Sequence, residues 1–508
     1  MAQLRSDQSI STEYLSSAQL FRASGALIGS AIGDALGAPF EFGGPREYSR
    51  MFPLPVLGGT GEMVGGGAFN WQPGEFTDDN QMALLLALSL IDNDGFNPDA
   101  VWDLFKSWSK KAPDVGNTTR AALSCADWRG ASRTAHDRTN GRSGSNGSVM
   151  RVAPVGVAGV PLGAAATVNL AIAQSELTHW DPIAGVGAAL VADTSRRLII
   201  GDTFVTALTS SMEFLRAHCP QFEAELERYE QALHPDVDYG DDDSFLSNGG
   251  ALVATAQAMW AVRTTQNFHD AMVRAIDLGG DTDTVAAIAG GIAGARYGLQ
   301  SLPIRWVTYV HGKLPLPDGT VRMVDQQDIV NISRLLLGLG KAYVTPSEPP
   351  ASPVKVHSAG VWAANLEGAA SAPTDCAVVS MCITEDRFKK HPYRRNLALR
   401  DENGDANPNL ENMVRDGVDA IDAFLDAGQE VVVHCHGGRS RTGLLLKAWY
   451  MRRERQTHAA ADKWLQSQWP LYATYNQSFM DFLTLDWEFE CGLSADTFLH
   501  NNTTEDPQ

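Results

Sequence analysis

Residues 345–353 read TPSEPPASP, four prolines in nine positions, and neither a helix nor a central strand runs through such a stretch. The 508-residue chain is therefore expected to fold as at least two units joined by an extended spacer at 345–355. The two sides differ in period. Upstream, Ala/Leu-rich runs at helical spacing (82–91, 100–110, 184–200, 204–216, 250–263 and 284–297) are separated by Gly, Pro and Asp clusters, with few alternating β-branched stretches. Downstream, short β-rich runs at 375–383, 394–400 and 430–435 alternate with helical patterns at 411–427 and 442–455. The expected fold is multidomain: an all-α, orthogonally packed helical domain over 20–344, then an α/β domain over 356–490. Residues 1–19 read as a polar N-terminal arm and 491–508 as a C-terminal tail.

Forty basic against sixty acidic residues leave a net charge of −20. From residue 351 onward the count is 15 basic and 22 acidic, so 25 and 38 precede it, and both halves are acidic. No stretch carries the excess positive charge that a phosphate backbone or an anionic membrane demands, so neither nucleic acid nor membrane is expected as a partner. The six cysteines show neither C-x-x-C pairing nor the density of a disulfide scaffold, and the first twenty residues lack an apolar leader segment. The longest apolar run, Met82 to Ile91, is too short to cross a bilayer, and a cytoplasmic protein is expected.

In SGALIGSAIGDALG the glycines fall at 25, 29, 33 and 37. A four-residue period strips one face of a helix of side chains, which is worth its propensity cost where another backbone packs very close. Asp34, inside that stretch, should be desolvated and needs a partner. Thr77, Asp78 and Asp79 open one apolar helix; Asp281, Asp283 and Thr284 open another two hundred residues later. Either cluster alone reads as a helix cap. Together they form the carboxylate and hydroxyl set, held on rigid elements, that hard divalent cations use.

The ordered motifs GDALG (33–37), TDD (77–79), GSNGSVMRVAP (144–154), THWDP (178–182) and GGDTDT (279–284) resemble the ADP-ribosylglycohydrolase family. That resemblance implies removal of ADP-ribose from modified proteins, arginine-linked substrates first. It further implies two divalent cations, Mg²⁺ or Mn²⁺, on Thr77, Asp78, Asp79, Asp281, Asp283 and Thr284. One departure is Asn80, where the family usually has Thr. Asn146, Gly147 and Ser148 are expected to receive the diphosphate, their small side chains leaving backbone N–H groups free, although GSNGS alone is only a turn. Glu41 corresponds to a family position on a flap over the scissile bond, against the alternative of a solvated surface Glu. His179 corresponds to a cleft-lining position, against that of a structural His. The segment DVGNTTRAAL (114–123) is family-like without an assigned chemistry.

EVVVHCHGGRSRTG, 430–443, runs from strand through glycine loop to helix. A thiol at the strand end, facing loop N–H groups and a helix N-terminus, should ionise near neutral pH, which makes Cys435 a candidate nucleophile. Arg441 can fork onto two phosphoryl oxygens, while Gly437 and Gly438 let the backbone curl around them. The segment is similar to the Cys-dependent, dual-specificity protein phosphatases. It implies a phosphocysteine intermediate without a cofactor, Gly438 and Thr442 in the phosphate loop, and an acid some thirty residues upstream. Asp401 and Asp405 compete for that role, with Asp401 preferred. Two enzymes in one chain is the leading expectation. The alternative is an immunity protein that binds an ADP-ribosyltransferase toxin and reverses its modification, with the second domain binding phosphate.

Overall fold

The computed structural model describes residues 15–240, 247–341, 348–385 and 387–493. Most of the expected arm (1–14), part of the spacer (342–347) and nearly all of the tail (494–508) lie outside the described residues. The chain divides into two compact units, one of Met1–Val56 and Thr60–Ala342, the other of Leu57–Gly59 and Tyr343–Gln508. The fold is multidomain, as the change of period implies: a helix-rich unit, then one built on a sheet.

In the first unit three helices carry the candidate site: α1 (Ser17–Gly37), α2 (Asp78–Asp92) and α3 (Thr282–Tyr297). A capping box between Ser16 and Gln19 starts α1. The glycine strip of α1 lies on α3: a Cβ on Gly25, Gly29 or Gly33 would sit 2.5, 2.3 or 1.9 Å from the carbonyl oxygen of Gly294, Gly290 or Ala286, and one on Gly37 2.5 Å from Asp283 Cα. The two backbones touch at four successive points, which fixes where the acidic start of α3 meets the end of α1. A hairpin of β1 (His311–Pro315) and β2 (Val321–Asp325) supplements the helices; the helical periodicity alone did not anticipate it.

Among its described residues the second unit holds five strands, β3 (Val354–His357), β4 (Val361–Asn365), β5 (Ala377–Ser380), β6 (Arg394–Asn396) and β7 (Val431–Cys435). Their order is β3-β4-β7-β5-β6, parallel except for β3 against β4. Central β7 is buried at every residue, as a strand covered on both faces should be. Helices α4 (Leu410–Asp426) and α5 (Ser440–Glu454) match the two expected helical patterns. Strand β3 begins inside the expected spacer. Among the described residues no helix is long and apolar enough to cross a membrane.

Candidate active sites

The acidic helix starts of the first unit converge. Thr77 caps α2 by accepting from Asp79 N–H at 3.4 Å. Behind it, fully buried Asp34 accepts from Thr77 N at 2.8 Å and from both Asn80 N and Asn80 Nδ2 at 3.0 Å. The partner that Asp34 requires is thus the first turn of α2, and Asn80, the departure from the family pattern, is one of its donors. Across the gap Thr284 Oγ1 donates to Asp79 Oδ1 at 3.4 Å. Asp281 stands at the N-cap position of α3 without a side-chain capping bond, and is held by Asn248 Oδ1, which accepts its N–H at 2.9 Å, and by Asn146 Nδ2, which donates to Asp281 Oδ2 at 2.8 Å.

Glu41 follows α1 on a segment laced to the start of α3: Phe42 N–H donates to Gly280 O at 2.7 Å and Gly280 N–H to Gly43 O at 3.0 Å. One carboxylate oxygen each of Glu41, Asp281 and Asp283 lies within 4.8 Å of the others. Burial, then Asp281, Asp114 and Asp34, push the Glu41 carboxyl up to about 8. Burial outweighs the hydrogen bonds to Asp34 and pushes it up to about 6. Burial, with neighbouring carboxylates, holds Asp78, Asp79 and Asp283 well above the usual range. Asp79 Oδ2 and Glu41 Oε2 are buried without a hydrogen-bond partner. Crowded, desolvated, partly unpartnered carboxylate oxygens are the donor set of a hard divalent cation, so these residues fit one.

Asp114 was missed as a site residue. It is half-buried, its carboxyl is raised by burial and by Asp281, and it acts in turn on Asp78 and Glu41. The only signal was its place in DVGNTTRAAL, just before the Asn117–Leu123 helix.

The GSNGS segment makes one short turn, Asn146–Ser148, with Asn146 N–H donating to Gly249 O at 3.1 Å. Ser148 Oγ accepts from Ser175 Oγ at 2.8 Å. His179 is buried beneath the turn. Its Nε2 bonds Ser145 Oγ at 2.9 Å and its Nδ1 bonds Thr178 Oγ1 at 2.8 Å, and a Cβ on Gly147 would stand 3.2 Å from its ring. Burial holds its pKa well below the usual value, so the ring is neutral. Both ring nitrogens are thus engaged by hydroxyls under the turn.

In the second unit β7 ends at Cys435 and α5 begins at Ser440. Between them Gly438 has φ +69°, and a Cβ there would lie 2.9 Å from Ala364 O. Trp469 Nε1 donates to Gly438 O at 2.6 Å and holds the loop from the other side. Arg441 Nη1 donates to Met381 O at 2.7 Å and Leu399 O at 3.2 Å, and Nε faces Asp401 Oδ2 at 3.6 Å. Asp401 also accepts from Tyr475 OH at 2.9 Å and Asn476 Nδ2 at 3.1 Å. Its rival Asp405 is exposed. Thr442 Oγ1 is buried without a partner next to the loop arginine.

The ADP-ribosylglycohydrolase family model matches residues 16–339, and the chain belongs to that family. Residues 391–455 match a second model, described as polymorphic toxin system, DSP-PTPase phosphatase. The ADP-ribosylarginine hydrolase Tri1 of Serratia proteamaculans is 31% identical over 340 residues, covering 65% of this chain and 82% of that protein. The ADP-ribosyl-[dinitrogen reductase] glycohydrolase of Rhodospirillum rubrum is 30% identical, over 58% of this chain and 91% of that one. Among solved structures, an ADP-ribosylglycohydrolase-related protein complex is 28% identical over 63% of this chain and 97% of that one, with a TM-score of 0.46. Human DUSP28 is 20% identical over 28% of this chain and 98% of its own, with a TM-score of 0.26.

Proposed function

We propose that the first unit is a metal-dependent hydrolase that releases ADP-ribose from modified protein side chains, with arginine-linked ADP-ribose as first choice. The observation that carries this reading is the convergence of Glu41, Asp281 and Asp283, with Asp79 Oδ2 and Glu41 Oε2 buried and unpartnered beside it. Membership of the family and the hydrolases among its relatives support it. Thr77, Asp78, Asp79, Asp281, Asp283 and Thr284 would hold two Mg²⁺ or Mn²⁺ ions, which supply Lewis acidity at the ribosyl bond. Around them Asn146 and Asn248 orient Asp281, Asp34 sets the first turn of α2, and Glu41 stands where it can take up a proton from an attacking water. Asp281→Asn with Asp283→Asn should abolish ADP-ribose release from an ADP-ribosyl-arginine substrate. Undiminished release in excess chelator would refute the metal requirement.

For the second unit the proposed reaction is hydrolysis of a phosphate monoester. Cys435 Sγ attacks phosphorus, the S–P bond forms as the ester P–O bond breaks, and Asp401 gives its proton to the leaving oxygen. Water then attacks phosphorus, returns a proton to Asp401, and expels the thiolate with help from Thr442. In the resting geometry Arg441 faces Asp401. A phosphoryl dianion would compete with that carboxylate for the Arg441 fork.

The toxin-system description of the 391–455 match favours one second reading, an immunity protein that meets an ADP-ribosyltransferase toxin. Capture of such a transferase by the Asp78→Ala, Asp79→Ala variant would support it; loss of capture with loss of hydrolysis would reduce it to enzymology.

A further inference from the structure

Arg439, midway along the phosphate loop, is held by a carboxylate from outside that loop. Glu348 Oε1 and Oε2 accept from Arg439 Nη1 and Nη2 at 2.9 and 3.0 Å, a two-pronged pair. The carboxylate lies over the loop itself, since a Cβ on Gly437 would stand 3.0 Å from Glu348 Oε1. Both side chains keep part of their surface exposed, 42% for Arg439 and 32% for Glu348, so the pair is open to exchange.

The backbone around Glu348 is also recognised. Asn365 is buried, pairs in register with Cys435 across β4 and β7, and uses its side-chain amide in both directions: Nδ2 donates to Pro349 O at 2.9 Å, and Oδ1 accepts from Ala351 N–H at 3.0 Å. Gly368 makes room for the segment, because a Cβ there would lie 1.8 Å from Ala351 O. Beside the nucleophile, then, the protein grips a stretch of polypeptide by its main chain and by one acidic side chain. Arg439 is also within electrostatic reach of Cys435 and Tyr475.

We propose that Arg439 is a specificity residue that reads a carboxylate flanking the phosphate, and that Glu348 holds this place in the resting protein. The substrates of the site are then phosphorylated polypeptide segments with an acidic residue beside the phosphorylated one. The proposal rests on the phosphate-site reading above, and its test separates the two. The full chain with Cys435→Ser is titrated calorimetrically with two phosphotyrosyl peptides identical except for Glu or Gln next to the phosphotyrosine. The Glu peptide is expected to bind about tenfold more tightly, the order of one charge-assisted forked pair. Arg439→Ala should bring the ratio to about one. Since that change could disturb the loop, Glu348→Gln gives an independent reading: it should tighten the Glu peptide severalfold and leave the Gln peptide as it was. Equal affinity for the two peptides, no affinity for either, or no effect of Glu348→Gln on the Glu peptide would overturn the proposal. Turnover is measured separately with Cys435 present. A preserved Glu/Gln ratio without turnover removes the phosphatase activity and leaves the recognition role standing.

Discussion

Gly29 and Gly290 face each other backbone to backbone. A Cβ on Gly290 would lie 2.1 Å from Gly29 O, and one on Gly29 2.3 Å from Gly290 O. Gly291, the next residue of the same helix, meets nothing nearer than 3.5 Å. Gly290→Ala must therefore push α1 and α3 apart or unwind one of them, at a cost of about 3 kcal/mol. Gly291→Ala should be neutral or stabilising by up to ~1 kcal/mol, through better helix propensity. Thermal melts of the two variants check this, and equal melting temperatures would contradict close backbone packing as the reason for the strip.

Glu41→Gln should stabilise the metal-free protein and weaken its response to metal. The Glu41 carboxyl is pushed up to about 8 by burial and by Asp281, Asp114 and Asp34, so at pH 8.5 its ionised form sits among like charges. An uncharged amide removes that repulsion. In excess EDTA at pH 8.5 the variant should melt higher than the parent, and the rise in melting temperature on adding Mg²⁺ should shrink. A variant that melts lower in EDTA and responds fully to Mg²⁺ would take Glu41 out of the acidic cluster.

The elements that carry chemistry were legible in the sequence because each is locally encoded. Helix periodicity, the four-residue glycine repeat and the strand–loop–helix around Cys435 need no distant partner to be recognised. What stayed hidden depends on residues far apart in the chain. A buried Asp34 needs a partner, yet that partner, the first turn of α2, lies more than forty residues on. Asp114 joins the acidic cluster only through tertiary proximity, and Glu348 meets Arg439 across 91 residues. His179 bonds Ser145, 34 residues away, through Nε2, a contact that its motif position does not encode.

Asp401→Ala should separate substrates by leaving group. Turnover of p-nitrophenyl phosphate, whose phenolate departs with little protonation, should change little, whereas alkyl phosphate esters should slow by about a hundredfold or more. Asp401 faces the loop arginine and is oriented by Tyr475 and Asn476, while Asp405 is exposed. If Asp405→Ala produced this pattern and Asp401→Ala did not, the acid would be Asp405.

Acid should loosen the sheet next to the nucleophile, through His434. Its ring is buried in β7 with Nε2 bonded to Ser380 Oγ at 2.7 Å, and burial, the largest cause, holds its pKa at about 3. An unfolded histidine titrates near 6.5, so below that pH the unfolded chain takes up a proton that the folded chain refuses. The stabilisation is complete above about 6.5 and is lost as pH falls towards 3, by about 1.4 kcal/mol per pH unit. At pH 5 the opening free energy of β7 should thus be about 2 kcal/mol lower than at pH 7 from this group. Hydrogen exchange at the Val431–Cys435 amides, corrected for intrinsic rates, measures that difference directly. His434→Gln keeps a polar group for Ser380 but cannot titrate, so its profile should be flatter over the same range. A parent protein whose β7 amides open with the same free energy at pH 5 and pH 7 would mean that His434 binds its proton equally well in both states.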